Sequence, residues 1–159
     1  MPRKGIVKPR KIEPDSVYKN RLVTKLINRS MLDGKKSVAQ KQIYKALEIV
    51  KEKGKDDPIK IFSKAMDNIK PTMEVRPRRV GGAAYQVPVP VKGGRKESLA
   101  IRWLLFASKA RPSSEYHTFA EKLATEIMDA ARGEGGAVKK RQDVERMAEA
   151  NRAFAHFRW

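Results

Sequence analysis

With 159 residues the chain has the length of a single domain, and its 40% hydrophobic and 7% aromatic content supplies enough apolar surface for a folded core. Thirty-six Lys and Arg against 18 Asp and Glu leave a formal charge of +18, a self-repulsion that calls for a polyanion: nucleic acid, an acidic membrane surface or an acidic protein. The lack of cysteine removes disulfides, thiolate nucleophiles and cysteine-based metal sites, and the longest obvious apolar run, Trp103 to Ala107, is far short of the roughly 20 residues that span a bilayer.

Residues 1–14 hold five cations (Arg3, Lys4, Lys8, Arg10 and Lys11) and one acid, Glu13, among Pro2, Gly5, Pro9 and Pro14. Proline and glycine discourage a helix, so this stretch is expected to be a basic extension that gains fixed structure from a polyanion. It lacks the apolar segment of a signal peptide, which leads to the expectation of a cytosolic protein.

From Asp15 onward the pattern is helical. Asp15 or Ser16 is expected to cap a first helix with Tyr18, Leu22, Val23, Leu26 and Ile27 at spacings of three and four, ending near Asp33-Gly34. A second helix runs from about Lys35, with Ala39, Ile43, Leu47 and Val50 on one face, to Gly54 as its C-terminal glycine. Asp57-Pro58 caps and opens a third, whose stripe is Ile59, Phe62, Met66 and Ile69 and which Pro71 stops.

Residues 73–91 carry three prolines and the pair Gly81-Gly82 between flanks rich in β-branched residues, the pattern of a β-hairpin. A two-residue turn pairs Arg78 with Tyr85 and Arg76 with Val87, whereas a longer turn would shift both. The prolines remove ladder donors, which suits an exposed ribbon better than the middle of a sheet. After Gly93-Gly94 a fourth helix is expected with Leu99, Trp103, Phe106 and Ala110 inward, stopping by Pro112. Ser113 or Ser114 then caps a fifth, with Phe119, Leu123 and Ile127 inward, to Gly133. A basic helix from about Ala137 and the aromatics Phe154, Phe157 and Trp159 complete the order. The expected fold is all-α, a six-helix bundle with a β-hairpin inserted between helices 3 and 4.

Positive charge gathers where the chain looks least like core. Residues 70–96 hold Lys70, Arg76, Arg78, Arg79, Lys92, Arg95 and Lys96 against Glu74. Such a ribbon carries guanidinium groups, which match phosphate oxygens in pairs, and Tyr85 offers a ring for stacking. The plainer alternative is an edge whose charges prevent strand aggregation. Lys35 and Lys36 sit at a helix start where free N–H groups favour phosphate, although a solvated surface accounts for them too. Lys139, Lys140 and Arg141 open the last helix, where positive charge opposes the helix dipole unless an external anion neutralises it. Catalytic signatures are missing: the sequence has no GxSxG, no Walker loop and no HExxH, and His117 and His156 lie far apart. Packing accounts for Trp103 and Met128 better than a ligand cage does.

The runs EVRPRRVGGAAYQVPV (Glu74 to Val89) and AVKKRQDVERMAEANRAFAHFRW (Ala137 to Trp159) resemble those of the bacterial small-subunit ribosomal protein S-seven family. The arm and intervening helices match that family in order and spacing, so the likeness covers essentially the whole chain; Pro90 departs from the acidic residue of many relatives. The resemblance implies a non-enzymatic constituent of the cytoplasmic small (30S) subunit without cofactor. It implies a basic extension over residues 1–14 and one helical RNA-binding domain over 15–159. It further implies that the protein binds the 3′ major domain of the small-subunit ribosomal RNA and acts early in assembly of the subunit head. Expected neighbours are proteins of the head and platform, exit-site transfer RNA and messenger RNA. Ribosomal RNA contacts are then expected at Arg3, Lys4, Arg10, Lys11, Lys35, Lys36, Arg76, Arg78, Arg95 and Arg102. Exit-site contacts are expected at Arg79, Gly81, Gly82, Tyr85, Lys139, Lys140 and Arg146.

Two other classes fit the composition: a free-standing nucleoid or RNA-chaperone factor, and a carboxylate–metal nuclease. The first would sediment with the chromosome, the second would cleave RNA only with added magnesium. For the RNA-binding reading, neutralising about 6–10 phosphates predicts that affinity for RNA falls by about 10³–10⁵ between 50 and 200 mM salt. A binding titration across that range checks it, and a flat response would remove charge as the main source of affinity.

Overall fold

Helix α1 (Arg21–Ser30) opens a computed structural model that describes Gly5 and residues 11–157. Arg3, Lys4, Arg10 and Trp159 lie outside the described residues, as does most of the basic extension. The elements follow in the expected order: α2 (Lys36–Gly54), α3 (Pro58–Ile69), β1 (Met73–Val80), β2 (Ala83–Pro90), α4 (Gly94–Ala110), α5 (Phe119–Arg132), α6 (Gly136–Ala150) and a 3-10 helix (Arg152–Phe157). The fold is mainly α, with the antiparallel hairpin between α3 and α4.

The cap of α1 differs from the sequence expectation. Asn20, not Asp15 or Ser16, caps it, its side-chain oxygen accepting from Leu22 N–H at 2.8 Å. Asp15 is buried in the turn ahead of the helix, where it accepts from the backbone N–H of Val17 and Tyr18 at 3.1 Å and from the Tyr44 hydroxyl of α2 at 2.8 Å. A short polar side chain that caps a turn and reaches a second element competes well with a helix start, so Tyr18 sits in the turn and packs edge-on against Tyr44. Val23, Leu26 and Ile27 supply the buried face.

α2 buries Ile43, Ala46, Leu47 and Val50. Its left-handed C-cap is Lys55 at φ 54°, and Gly54, expected there, is the last helical residue. A Cβ at 54 would stand 2.5 Å from Ile61 Cδ1 of α3, so a larger residue there would have to turn that side chain aside. α3 starts as expected, Asp57 accepting from Ile59 N–H at 3.0 Å with Pro58 in the first turn, and Phe62, Ala65, Met66 and Ile69 are buried.

α5 is the central helix, packed by α2, α3, α4 and α6. Its cap is Thr118 in a reciprocal capping box: Thr118 Oγ1 accepts from Glu121 N–H, and the Glu121 carboxylate accepts from the N–H groups of Thr118 and His117. Those bonds, the one from Thr118 foremost, hold the Glu121 carboxyl below its ordinary pKa. Ser113, an expected cap, instead accepts from Lys122 Nζ at 2.9 Å, and the same ammonium donates to Arg111 O at 2.7 Å. In α4 Leu99, Trp103, Leu104 and Leu105 are buried, but Phe106, expected inward, is 71% exposed and Ala110 is exposed too.

The joint between α4, α5 and α6 is built on Glu126, only 1% exposed. Its Oε2 accepts from Arg111 Nε at 2.8 Å and Nη2 at 2.6 Å, and its Oε1 accepts from Ala137 N–H at 2.9 Å in the first turn of α6. Arg111 also pairs with Asp129. Removing the carboxylate takes one of the two anionic partners of Arg111 and leaves the buried Ala137 N–H without its acceptor, so Glu126→Ala should destabilise the protein by about 1–3 kcal/mol. Urea unfolding measures this, and Glu126→Gln, able to keep the bond to Ala137, should lose less.

Candidate nucleic-acid interface

The ribbon root is organised by one acid. Glu74 of β1, 6% exposed, accepts from Arg76 Nε at 2.5 Å and from Arg95 Nε, at the start of α4, at 2.8 and 2.7 Å. Both arginine side chains remain about half exposed, at 49% and 48%. One carboxylate therefore fixes two guanidinium groups side by side while their outer donors stay open to phosphate. On the adjoining side Glu145 of α6 accepts from Thr72 N–H at 3.0 Å and from its hydroxyl at 2.7 Å, tying the last helix to the entry of β1.

Above the root the ribbon follows the two-residue register, Arg76 opposite Val87 and Arg78 opposite Tyr85. Gly81 at φ 58° and Gly82 at φ 89° form the turn, both in the left-handed region that a primed turn requires. Val87 and Pro88 are buried at the base, whereas Arg78, Arg79, Gly81 and Gly82 are exposed, and no ion pair involves either arginine among the described residues. Strand alternation puts Arg78 and Tyr85 on one face and Arg79 and Ala84 on the other. Tyr85 is not presented as a free ring. It packs against Phe154 and Phe157 of the 3-10 helix at centroid distances of 5.3 and 5.2 Å. That brace was not foreseen, although the aromatic spacing after α6 carried the signal.

Lys139 and Lys140 are exposed on the first turns of α6. The anion at this helix start is internal, however: Glu126 occupies the Ala137 N–H, so the helix dipole does not by itself demand an outside anion. Arg146 is exposed and stands 3.8 Å from Asp143, and Arg141 pairs with Glu145 at 3.6 Å. At α2, Lys35 is the cap position without a side-chain cap bond, and Lys36 follows it, both exposed. Lys11 and Lys36 line one groove, and Lys35 and Lys109 another.

On the outer face of α4, Arg95, Ser98, Arg102, Phe106 and Lys109 recur at spacings of three and four and are all exposed. Arg102 thus lies two turns along from the Arg95–Glu74–Arg76 cluster. The structure brings Arg76, Arg95 and Arg102 to one side, Lys139 and Lys140 to the α4–α6 groove, and Lys35 and Lys36 to the head of α2. Lys109 and Phe106 were missed, the first because a lone lysine carries no motif, the second because its spacing matches the core stripe. Among the described residues no cluster of three or more His, Asp or Glu could hold a metal ion, and no helix is long and apolar enough to cross a membrane.

The Glu74 arrangement predicts that Glu74→Ala disorders both guanidinium groups and loosens the ribbon. Amide exchange in β1 and β2 should quicken while exchange in α5 is unchanged, and RNA affinity should fall although the net positive charge rises.

The family described as Ribosomal protein S7p/S5e matches residues 2–152. Proteins named small ribosomal subunit protein uS7 are similar along the entire length, with all of this chain and all of each relative covered. That of Caldicellulosiruptor saccharolyticus is 58% identical, that of Carboxydothermus hydrogenoformans 56% and that of Ligilactobacillus salivarius 53%. Likeness of that extent, over a helical body with a basic ribbon set between its third and fourth helices, leaves one conclusion: the chain belongs to the ribosomal protein S7p/S5e family.

Proposed function

We propose that this protein, a non-enzymatic structural constituent of the small subunit of the cytoplasmic ribosome, anchors the 3′ major domain of the small-subunit RNA and helps nucleate the subunit head. Its ribbon tip and last helix then reach exit-site transfer RNA and messenger RNA. The observation that carries this reading is a ribbon of two regimes. Its root clamps Arg76 and Arg95 on a buried carboxylate, and its far end holds Arg78 and Arg79 in the open with no ion pair among the described residues.

An ordered pair of arginines close to the body suits a permanent contact, because little side-chain entropy is left to lose when phosphate binds. The exposed end around Gly81 and Gly82 suits a partner that comes and goes, for which a rigid finger matters more than area. Arg102 extends the root surface, with Lys11, Lys35 and Lys36 as separate phosphate contacts on the body and Arg3, Lys4 and Arg10 joining from the extension. Lys139, Lys140 and Arg146 lie along the helix that ties down the ribbon, and Tyr85 contributes by anchoring the finger to the 3-10 helix.

The division is testable with two variants. Replacing Arg78 to Ala84 by an Asn-Gly turn should spare incorporation into small subunits and alter exit-site transfer RNA retention. Replacing Arg76 and Arg95 by Ala should impair incorporation. Protein stoichiometry in purified subunits and transfer RNA retention are the measurements, and a tip variant that fails to incorporate beside a root variant that incorporates normally would overturn the assignment.

A further inference from the structure

We infer that the groove between the C-terminal half of α4 and the first turns of α6 is a seat for one unpaired RNA nucleotide, its base stacked on Phe106 and its flanking phosphates met by Lys139 and Lys140. The inference rests on the RNA-binding function proposed above and assigns a subsite within it.

The first observation is an aromatic ring on the wrong side of its helix. Phe106 is 71% exposed, the one aromatic among the large exposed hydrophobic side chains of the described residues, while Trp103 three residues earlier is nearly covered. The ring does not stand alone. Trp103, Ala107, Ala110 and Pro112 share the groove with it, and Gly136 lets α6 approach closely enough that a Cβ there would lie 3.2 Å from Ala107 Cβ. Apolar side chains therefore make up much of the floor.

The second observation is the sign of the rim. Lys139 and Lys140 line the groove, and Arg102 and Lys109 flank Phe106 one turn to either side on the exposed face of α4. The acids present are committed elsewhere: Glu126 to Arg111 and the Ala137 N–H, and Asp143 to Arg146 at 3.8 Å. Four cations with no ion pair among the described residues, set around an aromatic face, fit a ligand with a flat ring and negative charge on both sides of it. A paired A-form helix hides its base faces, so the fitting form is a looped or bulged nucleotide.

Binding to a transcript of the small-subunit RNA 3′ major domain tests this. Phe106→Ala should weaken binding by roughly 5- to 150-fold, the worth of one base–aromatic stack, with an unchanged salt slope because no charge is lost. Phe106→Tyr should restore affinity, and Lys139→Ala with Lys140→Ala should lower the salt slope by about 2. An unaltered melting midpoint for Phe106→Ala excludes a folding effect. If Phe106→Ala binds the transcript as tightly as the native chain, the subsite is overturned while the RNA-binding function stands. If that variant binds naked RNA normally but is lost from assembled subunits, the occupant is a protein and the inference fails. If the native chain itself shows no salt-dependent binding, the broader function falls with it.

Discussion

The buried carboxylate of Glu126 is the interaction on which the placement of α6, and through it the support of the ribbon, depends. It receives the Arg111 guanidinium from the end of α4 and the first free amide of α6, so three helices are fixed at one point. From there the influence runs outward. α6 carries Glu145 to Thr72 at the entrance of the ribbon, and the 3-10 helix after α6 carries Phe154 and Phe157 to Tyr85. A two-stranded ribbon is marginal on its own, and here α6 and the turn beyond it supply the missing support.

A common rule governs the charges. The buried acids among the described residues, Asp15, Glu74 and Glu126, each sit at a joint: the N-terminal turn with α2, the ribbon with α4, and α4 with α5 and α6. No Lys or Arg among the described residues is buried to the same degree. The buried charges among the described residues are thus negative and serve positioning, while the described lysines and arginines remain at least partly exposed. At the ribbon joint Arg76 and Arg95 stay about half exposed, so one guanidinium can serve both the fold and an external anion.

How far the residues alone disclosed this can be traced position by position. Gly81-Gly82 predicted the turn and the register because only glycine pairs enter that conformation without strain, and Asp57-Pro58 predicted a helix start because both residues favour it locally. The failures occurred where several residues could do the same local job and a distant partner decided. Asp15 lost the cap of α1 to Asn20 because Tyr44 lies within its reach, and Ser113 lost that of α5 to Thr118, whose partner Glu121 completes a capping box. Phe106 satisfies the inward spacing yet faces out, and the neighbouring Trp103, Leu104 and Leu105 are the buried residues of that stretch. In the candidate interface, cationic residues were legible one by one. The pairing of Arg76 and Arg95 through Glu74, which is 21 positions from Arg95 in sequence, was not.

The bond between Thr72 and Glu145 spans 73 positions, and it closes in the direction of synthesis. At roughly 5–20 residues per second, the ribbon leaves the translating ribosome roughly 4–15 s before the helix that braces it. For that interval the nascent chain carries its glycine turn and paired arginines on an unsupported hairpin, beside a body whose first helices can already pack. Orientation of the ribbon is therefore a late event in the life of the chain. The clamp of Arg76 and Arg95 on Glu74 can close once Arg95 has emerged, whereas the brace waits for Glu145 of α6.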